Sequence, residues 1–185
     1  MLRGLIIFCL ITGTFTSGPF YRGRCPSPTV EPVDLERYAG EWREYQTNQN
    51  NWDNASRCTT SFWTKPENEV STVFVTGIPT IGGDNSTIIG KGANNDRNLG
   101  VTFHFPVLGA LYDEYWVLNT DYENYSITFA CTDHGLFSTI KLYIFTREKV
   151  PALDVQKIGE ETYKNYGLPI EPMVTIDQNN CPDIY

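Results

Sequence analysis

The sequence predicts an all-β chain: eight antiparallel strands running up and down and closing into a barrel, with one C-terminal α-helix packed outside. Three observations carry that expectation. Short runs rich in Thr, Ile, Val and aromatic residues recur at regular spacing, and turn-forming residues separate them. A helical pattern of useful length occurs once, late in the chain. A meander of this kind leaves a sandwich open as well as a barrel, and Lys141-Leu142-Tyr143-Ile144-Phe145-Thr146-Arg147 decides between them. Both parities of that strand are largely apolar, as when one faces a lumen and the other a helix outside.

The strands follow in order. Residues 41–46 come after Gly40, and 59–64 end at Lys65-Pro66-Glu67-Asn68. Residues 70–76 end at Gly77-Ile78-Pro79, and 87–90 follow the Gly82-Gly83-Asp84-Asn85 turn. Residues 101–105 come after Asn94-Asn95-Asp96-Arg97-Asn98, and 112–118, 125–131 and 139–147 complete the set. The helix is expected over 151–166. Pro151 suits a first turn, and Leu153, Ile158, Thr162 and Tyr166 fall near one face. Gly167 is the expected stop and Pro169 prevents continuation.

Residues 1–17 read as a secretory signal peptide, leaving 18–185 as a single domain. Arg3 is the positive start, residues 5–11 are the apolar stretch, and Thr14, Thr16, Ser17 and Gly18 are small enough for cleavage. The apolar stretch is far short of the roughly 20 residues a membrane span needs, so membrane insertion is not expected. Cys25, Cys58, Cys131 and Cys181 remain after cleavage, an even number that reads as two disulfides in an oxidising compartment, with the connectivity open. Sequons at Asn54, Asn85 and Asn124 mark glycosylation sites in polar, turn-rich stretches. The net charge of −8 excludes nucleic acid and anionic membrane as natural partners. No Cys/His cluster of metal-ligand spacing is present.

Gly40-Glu41-Trp42, behind the short helical stretch Asp34-Leu35-Glu36-Arg37-Tyr38, resembles the first signature of the lipocalins. Thr120-Asp121-Tyr122, between two strands, resembles their second, and Arg147, just before the helix, their third. Three signatures in order make the resemblance specific, and it covers essentially the whole mature chain. Cys25-Pro26, Cys58 and the stretch 119–125 resemble the branch that holds apolipoprotein D and the insect bilin-binding lipocalins. The resemblance implies the pairs Cys25–Cys131 and Cys58–Cys181. Physical reading gives the signatures a structural role: a large flat Trp42 plugs one end of the barrel, and Arg147 lies over its indole while bonding nearby carbonyls.

Catalytic constellations are missing from the sequence. His104 and His134 neighbour no nucleophile motif, and Gly90-Lys91-Gly92-Ala93-Asn94-Asn95 lacks the last Gly of a dinucleotide loop. Asp113 and Glu114 point to opposite faces of a strand and form no dyad. A free-thiol enzyme, known in the resembled family, is not expected because every mature Cys is expected to pair. The chain therefore reads as a non-enzymatic secreted carrier of one small hydrophobic ligand. The alternative is a secreted glycoprotein with a filled lumen that acts through protein contacts, its partner a cell-surface receptor or a second copy in a weak homo-oligomer.

The expected ligand contacts are Asn50 and Trp52 on the first long loop, and Phe74, Thr76, Phe103, Phe105, Asp113, Tyr115, Val117, Lys141, Tyr143 and Phe145 on strands. Inward parity read back from Arg147 gives Phe145, Tyr143 and Lys141, apolar at the closed end and polar at the mouth. No cofactor is required. The resemblance implies a bilin such as biliverdin as the bound molecule, or else a fatty acid, retinoid, steroid or similar lipid. Lys141 would pair with a carboxylate on that ligand and Asp113 would oppose one.

Overall fold

The computed structural model describes residues 20–49, 56–81, 83–105 and 109–182. In chain order these form β1 (Phe20–Arg22), α1 (Leu35–Tyr38), β2 (Gly40–Asn48), β3 (Ser56–Trp63), β4 (Val70–Pro79), β5 (Ser86–Asn95), β6 (Asn98–Phe105), β7 (Gly109–Thr120), β8 (Tyr125–Asp133), β9 (Phe137–Thr146), α2 (Val155–Asn165) and β10 (Met173–Thr175). Each strand from β2 to β9 pairs antiparallel with the next, and β9 returns to β2 with Arg43 opposite Thr146 and Thr47 opposite Tyr143. The eight-stranded barrel is closed. Its expected signal peptide, residues 1–17, lies outside the described residues.

The two short strands complete the seam. Beyond its pairing with β2, β9 continues against β1, with Phe20 opposite Thr139 and Arg22 opposite Phe137. Beyond its pairing with β3, β2 continues against β10, with Thr175 opposite Gln46 and Met173 opposite Asn48. Backbone groups that would be left at open edges are thereby satisfied. Each disulfide anchors one of these arms: Cys25–Cys131 ties the segment after β1 to β8, and Cys58–Cys181 ties the tail after β10 to β3. No described helix is long and apolar enough to cross a membrane.

Alternation divides the apolar residues between two cores. Outward-facing Trp116, Leu118, Ile127, Phe129, Leu142 and Ile144 pack with Val155 and Tyr163 of α2, and the Tyr163 hydroxyl donates to the Tyr143 carbonyl at 2.9 Å. Trp42, Trp63, Val73, Leu99, Val101 and Val117 form the second core at the closed end, with Tyr38 of α1. The helix differs from expectation at its start. It begins at Val155, four residues past Pro151, because the Asp154 carboxylate caps it by accepting from the Lys157 amide at 3.1 Å. That start moves the buried stripe to Val155, Gly159, Thr162 and Tyr163, and leaves Leu153 43% and Tyr166 37% exposed. Strand β5 also runs past the expected 87–90 to Asn95. Its Gly92 lies where a Cβ would stand 2.5 Å from Trp63 Cζ3.

Candidate functional site

One end of the barrel is sealed by the signature residues. The α1 helix is capped by Asp34, whose carboxylate accepts from the Glu36 and Arg37 amides, and it places Tyr38 against Trp42 with ring centroids 4.9 Å apart. The Trp42 indole donates to the Tyr38 carbonyl at 2.9 Å. Beneath it the Arg147 guanidinium lies 3.7 Å from the ring centroid and donates to the carbonyls of Glu41 (2.8 Å), Ala39 (3.0 Å) and Tyr122 (3.1 Å). Gly40 is dictated by this packing. Its φ is +100°, and a Cβ there would stand 3.2 Å from Arg147 Nη1. Asp121 shapes the adjoining turn by accepting from the amides of Glu123, Asn124 and Tyr125. Partial burial pushes its carboxyl up, but these donors and the Asn124 side chain outweigh that and hold it below the ordinary carboxylate range.

Above Trp42 the lumen opens into a cavity of about 230 Å³. Aromatic walls dominate: Trp63, Phe103, Phe105, Tyr115, Tyr143 and Phe145 line it, with Val73, Val75, Leu99, Val101 and Val117 between them. Tyr143 stacks on Phe145 at 5.4 Å and 16°, and Tyr115 meets Tyr143 at 6.3 Å. Toward the mouth Lys141 faces Asp113 across 4.0 Å, both partly exposed. Toward the floor the lining turns polar again. The Tyr38 hydroxyl bonds Ser126 at 3.0 Å, and Ser126 bonds Thr128 at 3.3 Å. Burial pushes the Tyr38 phenol up, with Ser126, Thr128 and Arg147 pulling against it. Glu44, 2% exposed, stands in the same wall opposite Phe145.

Of the expected contacts, Phe103, Phe105, Asp113, Tyr115, Val117, Lys141, Tyr143 and Phe145 line the cavity. Phe74 and Thr76 do not. Val73 and Val75 take the inward positions of β4, so Phe74 turns outward beside Phe62 and Ile89, the latter 49% exposed. Thr76 shares that parity and is buried on the wall with its hydroxyl 3.3 Å from that of Thr87. Asn50, Trp52 and Asn54 lie outside the described residues, while Asn85 and Asn124 are exposed. Lining residues absent from the sequence reading are chiefly Tyr38, Glu44, Trp63, Val101 and Thr128. Period two from Trp42 leads directly to Glu44, but an acid in a strand is ordinarily assigned to solvent.

Comparison with known proteins gives a consistent placement. Residues 39–180 match the family model described as "Lipocalin / cytosolic fatty-acid binding protein family". Apolipoprotein D of Mus musculus is 30% identical over 194 residues, spanning 99% of this chain and 99% of its own. Insecticyanin-B of Manduca sexta is 26% identical over 177 residues, spanning 90% of this chain and 84% of its own. The solved structure of insecticyanin from the tobacco hornworm Manduca sexta superposes with a TM-score of 0.74 at 23% identity, over 87% of this chain and 89% of that one.

Proposed function

This chain belongs to the lipocalin / cytosolic fatty-acid binding protein family, and we propose that it is a secreted carrier of one small hydrophobic molecule held in the barrel lumen. The observation that carries this reading is the aromatic-walled cavity of about 230 Å³ above the Trp42 floor. Its size is just below the roughly 300–1,000 Å³ typical of small-molecule pockets, which suits one compact ligand. An open lumen of this kind also speaks against a filled barrel acting through protein contacts alone. Export is supported by the signal pattern of residues 1–17, and by disulfides that take up all four cysteines of the expected mature chain.

A bilin such as biliverdin meets rings on which it could stack. Its propionates, however, meet the acids Glu44 and Asp113 and, among the described residues of the lining, one base, Lys141, which already faces Asp113. The lining fits a flat apolar body and not a set of carboxylates, and a fatty acid encounters the same mismatch. A neutral molecule such as a retinoid or steroid meets no such opposition. Native mass spectrometry of the protein from its source tests the carrier reading. A mass excess equal to one small apolar molecule supports it, and a mass of polypeptide plus glycan alone, in protein that takes up no apolar molecule afterwards, overturns it.

A further inference from the structure

We propose that the Cys58–Cys181 disulfide is a redox latch on the lumen: a dithiol reductant opens it, frees the tail after β10, and lowers the affinity of the cavity for its ligand. The inference rests on the carrier reading above and adds the regulation of that same site. Three observations support it: where the tail bonds, how Cys58 is held, and how differently the two sulfurs are exposed.

The tail bonds the barrel where its ladders are interrupted. The pairing of β2 with β9 shifts register between Glu44 and Gln46, and that of β3 with β4 between Arg57 and Thr60. Such bulges leave backbone groups outside the ladder and bend the strand. The tail takes up those groups. The Ile176 amide donates to the Tyr45 carbonyl at 3.0 Å, and the Cys58 amide donates to the Asp177 carbonyl at 2.9 Å. The Gln178 side chain donates to the carbonyls of Glu44 and Thr59, each at 3.0 Å. Glu44, Thr59, Thr60 and Ser61, from these two stretches, line the cavity. The hydroxyls of Thr59 and Thr60 are buried and bond nothing among the described residues, so no side-chain bond of theirs steadies this wall from within.

Cys58 is held under strain. Its φ is +57°, a left-handed conformation that a residue with a Cβ keeps only when its surroundings hold it there. The disulfide and the amide bond to Asp177 both hold it, and both lead to the tail. Breaking the disulfide leaves the strain opposed by one hydrogen bond, and the bulge is free to relax toward regular extended backbone.

The surroundings of the two sulfurs direct the chemistry of opening. Cys58 is 1% exposed, whereas Cys181 is partly exposed beside the exposed Pro182. A reductant thiolate therefore attacks Cys181 Sγ, the Cys58–Cys181 bond breaks, and Cys58 leaves as the thiolate. Arg57 Nη1 donates to Cys58 Sγ at 3.4 Å, so its charge stabilises that thiolate and makes it the better leaving group. The second thiolate of the reductant then displaces Cys181 from the mixed disulfide. The reductant ends as its own disulfide and both cysteines end as thiols, with two electrons and two protons transferred. Cys25–Cys131 differs, because it joins β8 where the ladder with β9 runs through Cys131 without a shift of register.

The test treats the disulfide-bonded protein with dithiothreitol, traps free thiols with iodoacetamide at intervals for peptide mass mapping, and titrates Nile red at the same time points. Cys58–Cys181 should open about tenfold or more faster than Cys25–Cys131. Nile red affinity should fall about threefold or more in step with that opening, while the near-ultraviolet circular dichroism spectrum keeps its native form. Reoxidation should restore the affinity. Arg57→Gln should slow the opening severalfold and leave the dye affinity of the oxidised protein unchanged. Prior opening of Cys25–Cys131, an opening rate unaltered in Arg57→Gln, or dye loss that tracks unfolding overturns the inference. Dye affinity that is the same in oxidised and reduced protein also overturns it, and leaves the carrier reading standing. Absence of any saturable Nile red site in the oxidised protein removes both. Should Arg57→Gln fail to fold, the order of opening and the dye titration on the unaltered protein decide the matter alone.

Discussion

Arg147 does more than add a charge before the helix: one planar group covers the Trp42 face and reaches three carbonyls on two segments far apart in sequence. A lysine is a point donor and cannot span that set. Arg147→Lys should destabilise the barrel by about 1–3 kcal/mol, seen as a lower urea midpoint with an unchanged slope. An unaltered midpoint would show that the closed end does not depend on this contact. Asp121 gives a pH-dependent counterpart. Its folded-state pKa is lowered, so its contribution is complete above the unfolded value of about 3.9 and is lost as pH falls through the folded value. The melting temperature of the native protein should therefore converge on that of Asp121→Asn as pH is taken from about 5 to 2. A constant gap across that range would contradict the assignment. Trp42, Gly40 and Arg147 are legible in the sequence because their spacing is tied to one packing solution. Glu44 and Phe74 are not, since a polar residue turned inward and an aromatic turned outward both run against the hydrophobic rule that guides such a reading.

Elements were legible in proportion to their length. The eight barrel strands and the late helix have repeating patterns, whereas β1 and β10 are three residues each and too short to show a period. Their contribution lies in the seam and in the disulfides that hold them there. The tail after β10 also sends Gln178 to the carbonyls of Glu44 and Thr59 at 3.0 Å, bracing from behind the strands that carry two lumen residues. Converting Cys58 and Cys181 together to Ser should cost up to about 4–5 kcal/mol in the chain-entropy model. Because the bracing is lost too, it should also weaken ligand binding more than the same change at Cys25 and Cys131. Thermal unfolding and Nile red titration of the two double variants provide the comparison, and identical binding in both would contradict the bracing role. The start of α2 escaped the sequence reading because two N-terminal signals compete within four residues, and the Asp154 cap prevails over Pro151.

At the scale of the whole molecule, an acidic chain closes a barrel around a cavity that is aromatic in the middle and polar at both ends. The architecture follows from alternation, which any strand displays, and the sealed end follows from the signature residues. What fills the cavity depends on which few side chains meet across strands far apart in sequence, and pairing across the barrel is not written in any single stretch. The central claim is that this cavity takes up one small apolar molecule. A titration of Nile red against the native protein and Val75→Trp, whose added ring would occupy the lumen from β4, tests it most directly. The account predicts a saturable site of one dye per chain in the native protein and its loss in a folded Val75→Trp. Dye binding that never saturates, or that is the same in both proteins, would contradict it.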